Sequence, residues 1–116
     1  MGRLTTHVLD TALGRPAAGV EVVLYRVDEG LQELSRDQTN SDGRLNQPLL
    51  EGDDFSAGVY QLVFKAGPYF RSQNLDLEEP LFVDEVVLRF GINQPDQHYH
   101  VPLLVSPFAY STYRGS

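Results

Sequence analysis

Along most of this chain apolar residues recur at every second position, and turn-forming residues interrupt the pattern about every ten positions. Successive side chains of a strand point to opposite faces, so this period belongs to short, half-buried strands and not to helices. DEVVLRFGI (84–92) is the cleanest case: Val86, Leu88, Phe90 and Ile92 share an inward face, while Glu85 and Arg89 point out. LTTHVLD (4–10) and GVEVVLYRV (19–27) read as strands. So does GVYQLVFKAG (58–67), with Tyr60, Leu62 and Phe64 as its core face. QELSRDQT (32–39) is a weaker strand, and a short one is expected around 46–50. LGRPAAG (13–19) is a loop, and NSDGR (40–44) a tight turn in which Gly43 can take positive φ. PYFRSQNLDLEEP (68–80) has no strand period and is expected to hold one short helix. The chain is therefore read as all-β, a sandwich or barrel. At 116 residues it is long enough for one hydrophobic core and too short for two, so residues 1–116 are read as a single domain.

Composition removes several classes of function. The net charge is −7, and no basic block supplies the cationic footprint that DNA or RNA would need. Without cysteine there is no disulfide staple, thiolate nucleophile or cysteine-ligated metal, which suits a reducing compartment. The N-terminal MGRLTTHVLD has no apolar leader segment, and no apolar run approaches the roughly 18 residues that a spanning helix needs. A cytoplasmic protein that engages neither nucleic acid nor membrane is expected.

Candidate chemistry gathers in HYHVPLLVSPFAYSTYRGS (98–116), which holds two of the three histidines. Alternation sends Tyr99, Val101, Leu103 and Val105 into the core and turns His98 and His100 outward, beside Pro102 and Leu104. An outward face carrying apolar residues next to imidazoles is expected to be an interface. Thr5, His7 and Leu9 likewise share one face of the first strand. Three imidazoles could form a three-histidine zinc site; each could equally be a satisfied structural residue. Arg44, just after a turn, is by default a solvated charge, and Tyr113-Arg114 could cap an edge strand.

Taken together, LTTHVLD at the start, TNSDGR at 39–44, and HYHVPLLVSP followed by YRGS resemble the 5-hydroxyisourate hydrolases of the transthyretin-related family. The likeness runs from residue 4 to residue 116, and YRGS is its most specific element, because the hormone-carrying transthyretins lack it. The resemblance implies an eight-stranded transthyretin-like sandwich with one short helix. It also implies a homotetramer, a dimer of dimers, with sites in clefts at the dimer–dimer interface and the YRGS segment forming a pocket wall. By motif position it implies His7, Arg44 and His100 as catalytic residues. Tyr113, Arg114 and Ser116 would bind substrate, and His98 would join them in a less defined role.

The implied reaction is hydrolysis of 5-hydroxyisourate to 2-oxo-4-hydroxy-4-carboxy-5-ureidoimidazoline. It needs a water activated near neutral pH, stabilisation of charge on the attacked carbonyl oxygen, and a grip on a planar polar ring. Histidine suits the first task and the arginine fork the second. The ring is already activated by electron-poor neighbours, so no metal or other cofactor is expected. Two rival classes differ at these positions. A hormone carrier would need apolar channel walls in place of His7, Arg44, His100 and Tyr113, and a non-catalytic adhesion module would leave YRGS without a purpose.

Overall fold

Burial in the computed structural model, which describes residues 2–116, follows the alternation closely. Strand β1 (Arg3–Asp10) buries Leu4, Thr6, Val8 and Asp10 and leaves Thr5, His7 and Leu9 partly exposed. The remaining strands are β2 (Arg15–Pro16), β3 (Glu21–Val27), β4 (Leu31–Gln38), β5 (Leu50–Glu51), β6 (Gly58–Lys65), β7 (Glu85–Ile92), β8 (His98–Ser106) and β9 (Ala109–Thr112). One helix, α1 (Ala66–Ser72), follows β6 directly. Against the eight strands expected, the described residues form nine segments: seven longer strands, with β2 and β5 as two-residue pairings laid against β1.

Two sheets form the sandwich: β2-β1-β8-β9, with β5 also pairing to β1, and β4-β3-β6-β7. Between them lie Leu4, Val8, Leu103 and Val105 from the first sheet, and Val22, Leu24, Leu62, Phe64 and Val86 from the second. Fully burying one such aliphatic side chain stabilises the fold by about 1.5–3 kcal/mol. On β7, Val86 and Ile92 are buried, whereas Leu88 and Phe90 are only partly so and pack against the margin of the core.

Within the first sheet, β1 and β8 run parallel, which brings Thr5 opposite His100 and His7 opposite Pro102. This pairing joins segments more than ninety residues apart, and it places both histidine-bearing strands side by side. It also corrects one expectation: Pro102, read as lying on the outward interface face beside the histidines, is already buried within the single chain. Leu104 on the same face remains partly exposed.

The helix starts two residues before the segment expected to hold it and ends at Ser72. Pro68 fits its first turn, where a missing amide hydrogen costs nothing. Tyr69 from α1 donates its hydroxyl to the buried Asp10 carboxylate at 2.7 Å, while the other Asp10 oxygen accepts from the amides of Ala12 and Leu13. Burial, reinforced by that carboxylate, pushes the Tyr69 hydroxyl up to about 12. The end of β1 is thereby pinned to the helix.

Candidate active site

Residues 40–44 form a turn whose construction explains where Arg44 sits. The Asn40 side-chain oxygen accepts from the amides of Asp42 (2.9 Å) and Arg44 (3.2 Å), the short-range bonding that asparagine favours in turns. The Asn40 amide bonds the Arg44 carbonyl at 2.7 Å, and the Gly43 amide bonds the Asn40 carbonyl at 2.9 Å. Gly43 adopts φ 77°, in the left-handed region, as its place in the turn anticipated. A Cβ there would lie 2.3 Å from the Val8 carbonyl oxygen, so the turn can lie this close to β1 only with glycine. Arg44 then bridges to His7 in an isolated antiparallel pairing.

His7 has a defined tautomer. Its Nε2 is 2.8 Å from the Asp42 carbonyl oxygen, which can only accept, so the proton is on Nε2 and the neutral ring keeps its lone pair on Nδ1. His98 and His100 protrude from the outward face of β8, as alternation requires, and both are partly exposed. Between them stands the Thr5 hydroxyl, 2.9 Å from His98 Nε2 and 2.8 Å from His100 Nδ1. Burial holds the His100 imidazole below its ordinary value, with further lowering from nearby Arg44, His7 and His98. At neutral pH this favours an uncharged ring that can accept a proton.

A cleft of about 370 Å³ opens beside these groups, within the usual range for small-ligand sites. Arg44, His98, His100 and Ser116 line it, together with Thr5 and Arg3 from β1. Ser116 arrives there because Gly115 pairs with His100 through two backbone hydrogen bonds. Five of the expected residues thus meet around one corner of the first sheet: Arg44, His98, His100 and Ser116 on the cleft wall, and His7 immediately behind the Arg44 turn.

Tyr113 and Arg114 point elsewhere in the single chain. Both line a groove between β7 and β9, on the opposite side of the terminal segment, and Tyr113 is 61% exposed. Arg114 stacks its guanidinium over the Tyr99 ring at 4.2 Å and donates to Gln97 Oε1 and to the His98 carbonyl. It fixes the start of β8 from behind. Among the described residues, no three His, Cys, Asp or Glu side chains are grouped as metal ligands would be.

The hydroxyl of Thr5 is the site residue that sequence reasoning missed. Alternation put Thr5 on the same face as His7, but only the parallel pairing of β1 with β8 sets it between the other two histidines.

Comparison with known proteins agrees with this architecture. The model of the HIUase/Transthyretin family matches residues 4–115. The whole chain aligns at 60% identity with a 5-hydroxyisourate hydrolase of Pseudomonas aeruginosa, covering 93% of that protein. The structure of Klebsiella pneumoniae 5-hydroxyisourate hydrolase superposes with a TM-score of 0.82 at 33% identity, over 100% of both chains. The crystal structure of an (S)-allantoin synthase gives a TM-score of 0.95 at 47% identity over 99% of this chain, which spans only 44% of that longer one. With a family match across nearly every residue and two sheets paired in the same architecture, this chain belongs to the HIUase/Transthyretin family.

Proposed function

We infer that the chain hydrolyses 5-hydroxyisourate in urate degradation, opening the six-membered ring to 2-oxo-4-hydroxy-4-carboxy-5-ureidoimidazoline. The observation that carries this reading is 60% identity over the full chain to a 5-hydroxyisourate hydrolase. The cleft supports it by joining a neutral imidazole to an arginine fork.

In the mechanism we assign, water attacks a ring carbonyl carbon while His100 takes one of its protons. The choice of His100 rests on its place in the cleft and on its depressed proton affinity. His100 Nδ1 is engaged by Thr5, which leaves Nε2 for the water. Charge that develops on the carbonyl oxygen is met by the Arg44 guanidinium, which is always protonated and can donate two parallel N–H bonds. As the carbonyl re-forms, the carbon–nitrogen bond breaks, the nitrogen takes back the proton held by the imidazole, and the new acid ionises. Ser116 orients the ring from the facing wall. His7 acts as a positioning residue, because its Nε2–H holds the Asp42 carbonyl and with it the turn that carries Arg44.

Arg114 contributes by fixing the His98 backbone, and Tyr113 closes the adjoining groove. The assembly is a tetramer, supported by the partly exposed apolar Leu104 beside the histidine face. The cytoplasm is the compartment proposed, which a cysteine-free chain suits. To test the activity, the protein is added to freshly generated 5-hydroxyisourate and its ultraviolet absorbance followed. Decay faster than the spontaneous rate supports the reading, and an unchanged rate overturns it.

A further inference from the structure

A hydroxyl group has one proton, and Thr5 Oγ1 is within hydrogen-bond distance of two imidazole nitrogens, His98 Nε2 at 2.9 Å and His100 Nδ1 at 2.8 Å. It can donate to only one of them, and in a relay that joins the two rings it donates to one and accepts from the other. Two arrangements satisfy this. In the first, His100 Nδ1–H donates to Thr5, Thr5 donates to His98 Nε2, and both neutral rings carry their proton on Nδ1. In the second every bond reverses and both rings carry it on Nε2. In either arrangement the two histidines share one tautomer, set by a threonine.

Only the first arrangement leaves His100 Nε2 with a free lone pair, and among the described residues that nitrogen has no other hydrogen-bond partner. The charged and titratable groups around His100 are Arg44 from the turn, His7 and Arg3 from β1, and His98 on its own strand. All four are cationic or can become so, which makes a positive charge on His100 costly to keep.

We propose that Thr5 is a proton relay between His98 and His100, holding His100 Nε2 ready as the base and passing the positive charge on to His98. The inference rests on the hydrolase reading above for its role in turnover. When Nε2 of His100 takes a proton from water, its Nδ1 proton moves to Thr5 Oγ1, and the original hydroxyl proton moves to His98 Nε2. His100 returns to neutral, now protonated on Nε2, Thr5 is again a hydroxyl, and His98 holds the charge. The reverse transfer supplies the proton for the departing ring nitrogen. Thr5 touches neither water nor substrate in this scheme and acts through His100.

The test compares Thr5→Val, which keeps the β-branched shape that suits a strand, with Thr5→Ser, which keeps the hydroxyl. Histidine ¹⁵N chemical shifts of the wild-type protein should report His98 and His100 in the same tautomer, Nδ1–H, and Thr5→Val should uncouple them. Thr5→Val should lower kcat by at least about 10-fold with KM little changed, since proton transfer and not binding is lost. It should also move the acid limb of kcat/KM to lower pH, because the bond that stabilises protonated His100 is gone. Thr5→Ser should restore both. Opposite tautomers in the wild-type protein, or a Thr5→Val enzyme with wild-type kcat and pH profile, would overturn the relay. So would a Thr5→Ser enzyme as slow as Thr5→Val. If Thr5→Val does not fold, the wild-type tautomers still decide. If the wild-type protein fails to hydrolyse 5-hydroxyisourate, the hydrolase reading falls, while the shared tautomer stands or falls on the spectrum alone.

Discussion

The amide of Val8 donates to the carbonyl of Gly43 at 2.8 Å, and that bond fastens the turn bearing Arg44 to the strand bearing His7. Nothing in the turn's own hydrogen bonds would hold it against β1, so the position of Arg44 depends on this bond, on the His7 bond to the Asp42 carbonyl, and on the glycine that allows the close approach. Gly43→Ala tests this. An alanine at φ 77°, with its Cβ 2.3 Å from the Val8 carbonyl, must move the turn. Stability should fall by about 1–3 kcal/mol, read from thermal or urea unfolding. The hydrolase rate should fall further than stability explains, because Arg44 moves with the turn.

Arg44→Ala should separate chemistry from folding. The side chain is exposed at the cleft mouth, and the hydrogen bonds that build the turn there come from its backbone. The unfolding free energy should therefore change by less than about 0.5 kcal/mol. Turnover should drop by about 100-fold or more, the scale of losing an oxyanion donor. A variant with wild-type kcat/KM would remove Arg44 from the mechanism.

The pH dependence follows from His100. Burial first, and then Arg44, His7 and His98, hold its imidazole below the ordinary 6.5. The base must be neutral, so kcat/KM should rise with pH and level off, with the midpoint of that limb below 6.5. Arg44→Ala removes one of the causes of the lowering, so in that variant the limb should move up toward the ordinary value. A limb that stays put or moves down would mean that another group titrates.

Removing the imidazoles one at a time ranks them. His100→Asn and His7→Asn should each cost about 100-fold or more in rate, the usual scale for positioned acid–base groups and their supports. His98→Asn should cost less, since His98 stores a proton that His100 can still accept. Steady-state assays on the three purified variants give the order, and His98 proving the most damaging would reverse the roles assigned on β8.

Leu104→Arg addresses assembly. Leu104 is partly exposed on the histidine face, whereas its neighbours Leu103 and Val105 are buried in the sandwich core. A charge there should leave the single-chain fold intact by circular dichroism and dissociate the proposed tetramer in sedimentation. Activity should fall with the tetramer. A folded monomer with full activity would show that one chain carries a complete site.

Much of this site was legible because alternation is a local property. Reading HYHVPLLV at period two was enough to send Tyr99, Val101, Leu103 and Val105 inward and both histidines outward, and each of these residues lies on the face expected. What alternation cannot reveal is which strand lies alongside. The parallel pairing of β1 with β8 decides that Thr5 lies between His98 and His100, and that Pro102 is covered beside His7. Strand β9 escaped notice for a related reason: all four of its residues are exposed, so no inward face marks it in the sequence. The motif YRGS suggested one shared location. Within the single chain its backbone divides it, with Gly115 paired to His100 and Ser116 in the cleft, while Tyr113 and Arg114 line the other groove.

The most direct measurement of the central claim is the rate at which ring-opened product appears from freshly made 5-hydroxyisourate, with the wild-type protein, with His100→Asn and in buffer alone. The account predicts that wild type far exceeds buffer and that His100→Asn returns most of the way to it. Equal rates with wild-type protein and with buffer would contradict the account.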